Sequence, residues 1–157
     1  MVMCTGGFCC DRSKDSLVVE FSPQKAHLAT TNGAFACGDG IRMGRAIGVK
    51  LVHMNKIQVH PTGFVDPKDP LNPVKFLGPE ALRGCGGILL NKKGERFVNE
   101  LGRRDHVSQE IFAQSERGIE SDPPATALIV MNDEAVSKFG KASWTFYCSK
   151  WHECPFF

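Results

Sequence analysis

No apolar run in this chain of 157 residues approaches the roughly 18–20 needed for a membrane-spanning helix. The N-terminus also lacks the long apolar core of a secretory signal, and Cys154-Pro155-Phe156-Phe157 is no common targeting tripeptide. Net charge is nearly absent, at +2, and the charges are interspersed. A nucleic-acid binder would gather Lys and Arg into a stripe, so nucleic acid is not an expected partner. The seven cysteines (Cys4, Cys9, Cys10, Cys37, Cys85, Cys148, Cys154) form no C-x-x-C pair, which removes zinc and thioredoxin-like spacings. Their odd number without a secretion signal reads as reduced intracellular thiols. No metal site is expected. Repeats and low-complexity segments are missing. No G-x-G-x-x-G follows a strand, so the usual dinucleotide fingerprint is missing too.

What remains is ordinary globular composition, 42% hydrophobic and 23% charged. Val2–Cys4 reads as the end of a buried strand entering the Gly6-Gly7 turn, and residues 15–21 as a weak helix. Thr30-Thr31-Asn32-Gly33 is a turn. Asp39 is a plausible N-cap for a helix carrying Ile41, Met43, Ala46 and Ile47 and ending at Gly48. Leu51–Met54 and Ile57–His60 suit strands. Five prolines in 61–79 forbid regular helix and suit a surface excursion. Residues 87–91 and 95–98 read as a β-hairpin turning at Gly94. Val107, Ile111 and Phe112 recur at helical spacing from Arg104 to near Gly118. Ala127–Met131 suits a buried strand, and Asn132/Asp133 would cap a helix ending near Gly140. A composition shift near 57–61 divides the chain into 1–58, 59–142 and an atypical tail, 143–157. That tail, with Trp144, Phe146, Tyr147, Trp151, Phe156 and Phe157, shows no period and reads as a truncated or frame-shifted end.

One constellation could carry chemistry. His60 is fixed at a strand end by Pro61. Glu80 and Arg83 are three apart, and Glu100 and Arg104 four apart, spacings that share a helix face. Each alone has an ordinary reading: a satisfied structural histidine, and solvated surface pairs worth a few tenths of a kcal/mol. Thr5-Gly6-Gly7 and Gly38-Asp39-Gly40 are glycine-rich turns whose exposed N–H groups suit phosphates or the polar edge of a flavin. Tight turns use the same residues.

Taken in series, the motifs T-G-G-F (5–8), T-T-N-G (30–33), G-D-G-I (38–41), H-P-T-G-F-V-D-P-K-D-P (60–70), G-P-E-A-L-R-G (78–84), G-G-I-L-L-N-K-K-G-E-R-F-V-N-E-L (86–101) and V-S-Q (107–109) resemble the soluble fumarate reductases of yeast and kinetoplastid type. More broadly they resemble the FAD-binding family shared with succinate dehydrogenase and aspartate oxidase. The resemblance covers roughly residues 3–140. It implies an α/β fold with α+β character in the cap: part of a Rossmann-like FAD domain (1–58), then part of a capping, or clamp, domain. FAD is the implied cofactor and fumarate/succinate, or a similar dicarboxylate, the implied substrate. The implied reaction adds hydride from reduced flavin and a proton from an arginine. By motif alignment that arginine is Arg104, with Glu80 and Arg83 as its proton relay and His60 on a substrate carboxylate. Thr5, Gly6, Gly7, Gly38, Asp39 and Gly40 fall on flavin-contacting turns.

The sequence departs from the family where Gly102 replaces a usually acidic residue and where Arg103 stands beside Arg104. It also lacks the ADP-binding fingerprint and the family's later histidine and arginine, which implies an internal fragment incomplete by itself. The electron donor is expected in a module of the parent protein. The compartment (cytosol, mitochondrion or glycosome) is not distinguished. The alternatives are aspartate oxidase or another related FAD enzyme, and an inactive truncated gene product.

Overall fold

A computed structural model describes residues 2–114 and 126–150. Its elements mix short helices and strands in two compact units. One comprises Met1–Gln58 with Asn72–Lys75, and the other Val59–Leu71 with Phe76–Phe157. No described helix is long and apolar enough to cross a membrane.

In the first unit, helix α1 (Leu17–Phe21) starts where Ser16 Oγ accepts the Val19 amide at 3.2 Å, the expected role of serine at an N-cap. Leu17 is fully buried and Val18 nearly so. A 3-10 turn, Pro23–Lys25, follows. Helix α2 (Asp39–Ala46) departs from expectation at its start: its cap is Gly38, at φ +83°, and Asp39 is its first helical residue. A left-handed cap suits glycine because no Cβ meets the backbone. The helix does not bury the apolar face read from the sequence. Met43 and Ile47 stand exposed, while Gly40 and Gly44 are its buried residues. Val2–Cys4, Leu51–Met54 and Ile57–His60 are not strands. A strand needs a partner ladder, and apolar composition alone does not provide one.

The proline-rich stretch holds a short antiparallel pair in the second unit, β1 (Gly63–Phe64) with β2 (Phe76–Leu77). The residues between them include Asn72–Lys75 of the first unit, where Thr30 bonds Pro73 O (2.8 Å) and the Lys75 amide (2.7 Å). Helix α3 (Ala81–Gly84) is one turn and buries Leu82 and Arg83. Strand β3 (Ile88–Leu90) pairs antiparallel with β4 (Leu128–Val130), Leu89 opposite Ile129. The expected hairpin shrinks to a single bridge, Leu90 with Arg96, around Gly94 at φ +78°. Strand β4 is half-buried rather than buried, with Leu128 exposed.

Helix α4 (Arg104–Ala113) drives Val107 and Ile111 against Leu89, with Phe97, Val98, Ala127 and Ile129 packed around them. Its expected end at Gly118 lies outside the described residues. Helix α5 (Asp133–Phe139) is capped by Asn132, whose side chain accepts the Ala135 amide at 2.9 Å, and stops at Gly140. The aromatic stretch read as patternless forms helix α6 (Lys141–Lys150). Its Tyr147 ring lies 5.8 Å from Phe64, 6.1 Å from Phe76 and 5.9 Å from Phe139, spacings of ordinary aromatic packing. Trp151, Phe156 and Phe157 lie outside the described residues.

Candidate active site

Two groups of the expected site residues are assembled, one in each unit. In the first, the 5–8 turn lies against the 37–40 turn. Gly38 N–H donates to Gly7 O at 3.1 Å, and Cys10 N–H donates to Ala36 O at 3.0 Å. A Cβ on Gly40 would stand 2.0 Å from Thr5 Oγ1, and one on Gly38 would stand 2.4 Å from Leu17 Cδ1. The two turns therefore fit only with bare glycine backbone between them. On their other side, Cβ atoms built on Gly6 and Gly7 meet nothing within 4 Å. That leaves an accessible stretch of main chain beside the start of α2, where the helix dipole favours negative charge. Asp39 is exposed at this same end. The open backbone edge fits close approach of a flat polar group such as a flavin. Arg42 braces the site's flank, reaching Asp11 (3.3 Å) and Asp15 O (3.1 Å).

The second group gathers His60, Thr62, Glu80, Arg83 and Arg104. His60 is half-buried, and its Nδ1 accepts the Thr62 amide at 3.3 Å. Thr62 Oγ1 lies 3.2 Å from the same nitrogen and donates to Gly78 O at 2.8 Å, while Gly78 N–H returns to Thr62 O at 2.9 Å. Burial pushes the His60 pKa down, and the positive charges of Arg104 and Arg83 act in the same direction, against the Glu80 carboxylate.

Glu80, at the start of α3, is hydrogen-bonded to Arg104 Nη2 at the start of α4. Its other oxygen lies 3.6 Å from Arg83 Nη2, an ion-pair distance beyond hydrogen-bond reach. The Arg104 hydrogen bond holds the Glu80 carboxyl below its ordinary range, and the same bond raises Arg104. Arg83 is 2% exposed. Its Nη1 donates to Glu100 O, but Nε and Nη2 are buried without a hydrogen-bond partner. Burial lowers its pKa and Glu80 opposes that shift.

The expected Glu100–Arg104 pair does not form. Glu100 is 3% exposed and turns to Arg96, with Nη2–Oε2 at 2.6 Å, and to the Leu89 amide at 2.8 Å. Burial pushes its carboxyl up, but those bonds outweigh burial and hold it below the usual range. Arg104 is paired with Glu80, 24 positions earlier in the chain, a partnership that no helical spacing could announce. Thr62 was not among the expected site residues; its signal is its place two residues after His60.

Among the described residues, no cluster of three His, Cys, Asp or Glu side chains could hold a metal ion. Six described cysteines are unpaired, and Cys37 Sγ donates to Ala34 O at 2.9 Å.

The chain matches the FAD binding domain family over residues 1–140. It is 50% identical over 112 residues to a fumarate reductase of Schizosaccharomyces pombe, covering 71% of this chain and 22% of that protein. To fumarate reductase 1 of Saccharomyces cerevisiae it is 43% identical over 154 residues, covering 96% of this chain and 30% of the relative. Its structure is similar to an open conformation of a flavocytochrome c3 fumarate reductase, with a TM-score of 0.61 and 26% identity, over 91% of this chain and 22% of that one. The chain thus spans less than a third of the length of the curated relatives it matches.

Proposed function

The chain belongs to the FAD-binding domain family, in its fumarate reductase branch, and on that premise we propose that it supplies the flavin-facing turns and a proton-delivering half-site for the reduction of fumarate to succinate. In this reading Met1–Gln58 is part of the FAD domain, and the residues from Val59 onward are part of the substrate cap. Thr5, Gly6, Gly7, Gly38, Asp39 and Gly40 form the flavin-facing edge. Reduced FAD, when bound, supplies a hydride to one alkene carbon.

The remaining work falls to side chains. His60 hydrogen-bonds a substrate carboxylate and helps stabilise the negative charge that develops as hydride arrives. Arg104 donates the proton to the other alkene carbon. An arginine is a weak acid, so its proton must be returned at once. Glu80, bonded to Arg104, returns it, and Arg83 resupplies Glu80 from the buried side. The observation that carries the reading is the Arg83–Glu80–Arg104 order, with one carboxylate between two guanidinium groups. The electron donor that reduces the flavin is, in this reading, a separate module of a longer protein.

The test begins with flavin retention by the purified chain, read from its absorption spectrum. It continues with a chimera in which the chain replaces the matching segment of the Saccharomyces relative. The chimera should oxidise reduced flavin in the presence of fumarate. Arg104→Ala should lower kcat about 10²–10⁴-fold, the usual contribution of a positioned acid. Undiminished turnover in that variant would remove Arg104 from the role.

A further inference from the structure

Two hydrogen bonds tie residues 7–10 to residues 36–38: Gly38 N–H on Gly7 O at 3.1 Å, and Cys10 N–H on Ala36 O at 3.0 Å. They bracket Phe8 and Cys9 on one side and Cys37 alone on the other. That is the two-against-one count of a β-bulge. Residues facing each other across such bonds stand about 4.5–5.5 Å apart, Cα to Cα, within the span that a disulfide needs. Phe8 lies on the Gly38 side, since a Cβ built on Gly38 would stand 2.8 Å from Phe8 Cβ. Cys9 is left as the residue across from Cys37. Both are half-buried free thiols, and the function proposed above uses neither.

We propose that Cys9 and Cys37 are a redox-active dithiol, a modification site at which a small-molecule disulfide closes a reversible Cys9–Cys37 bridge. Cys37 attacks first. Its Sγ donates to Ala34 O at 2.9 Å. A thiolate has no hydrogen to donate, so losing the proton frees the side chain as it makes the sulfur nucleophilic. Cys37 Sγ bonds one sulfur of the reagent and expels the other as a thiolate. Burial pushes the Cys9 thiol up, against its bond to Phe8 and the charges of Arg12 and Lys25. That suits Cys9 to the second step. It gives up its proton, attacks the Cys37 sulfur of the mixed disulfide and expels the second thiolate. The chain has then lost two protons and two electrons, and the reagent has gained both to become two thiols. The bridge staples the 5–8 turn to the 37–40 turn. That it stiffens a flavin-facing edge rests on the function proposed above; the bridge itself does not.

The experiment treats the reduced, folded chain with oxidised glutathione, blocks the remaining thiols, and maps the products by tandem mass spectrometry of its peptides. The expected product is a Cys9–Cys37 disulfide that dithiothreitol reverses. Cys10→Ser should still form it. Cys9→Ser should stop at a mixed glutathione disulfide on Cys37. Closing the long loop from 9 to 37 should raise the melting temperature by roughly 5–10 °C. A bridge mapped to Cys9–Cys10 or Cys10–Cys37 would overturn the pairing. A mixed disulfide that persists on Cys37 of the wild-type chain would do the same, as would a bridge that forms only in urea. An unchanged or lowered melting temperature after bridging would show that the fold does not hold the two residues in line, and would sink the inference.

Discussion

Glu100 allows one perturbation to be worked through in numbers. Its carboxylate is 3% exposed, takes the Leu89 amide at 2.8 Å and receives Arg96 through Nε and Nη2. Leu89 is itself buried, in the middle of β3. Glu100→Ala strips that amide of its acceptor, and a buried N–H left unmade costs about 1–3 kcal/mol. Arg96 is largely exposed and can turn to water, so its loss of a partner adds little. The expected destabilisation is therefore about 1–3 kcal/mol, a sizeable share of the roughly 5–15 kcal/mol by which a domain is stable. Glu100→Gln retains an acceptor for Leu89 and loses only the charge, so it should cost about 1 kcal/mol.

Urea unfolding at pH 7 measures both. The pH dependence has a definite sign. The Glu100 carboxyl is held below its ordinary value in the folded chain. Its ionic contribution is therefore fully present above the unfolded pKa of about 4.3 and is lost as pH falls through the lower folded value. Glu100→Gln should converge on wild type in that acid window, whereas Glu100→Ala should remain destabilised. Equal losses in the two variants at pH 7 would refute the claim that the Leu89 amide, rather than the ion pair, dominates.

Three further outcomes follow from the geometry. Gly40→Ala places a Cβ where Thr5 Oγ1 stands, so it should lower the melting temperature and abolish flavin retention together, read by thermal melting and absorbance. Gly7→Ala faces open space and should change stability by less than about 0.5 kcal/mol. It should nevertheless weaken flavin retention; full retention would mean that no ligand approaches that backbone. Asn132→Ala removes the cap of α5 and should cost about 1 kcal/mol, measured by denaturant melting.

The sequence was most readable where structure is local. Asn132 and Gly140 delimit α5 because a cap and a stop are properties of a few adjacent residues. Gly94 marks its turn for the same reason. Non-local partners were hidden. The second arm of the expected hairpin fails to pair fully because a side chain, Glu100, takes the Leu89 amide that a strand carbonyl would have taken. Alternation of apolar residues cannot distinguish those two acceptors. Helix α2 misled by its apolar count: its packing face is made of glycines, which a hydrophobic pattern does not register. The candidate site residues were chosen through motif order, which carries no information about their pairings. Spacing joined Glu100 to Arg104, whereas the fold joins Glu80 to Arg104 and Arg96 to Glu100.

The burial of Arg83 has a consequence apart from the proton relay proposed for it. Two of its nitrogens are held out of water with no acceptor, so the energetic cost of dehydrating them is met when the chain folds, not when a ligand arrives. An anion that reached those nitrogens would recover that energy and would bind the folded chain while ignoring the unfolded one. Ligand and fold are then thermodynamically linked: a small anion acting there would work as a folding aid, and the empty chain would be the least durable form of the protein.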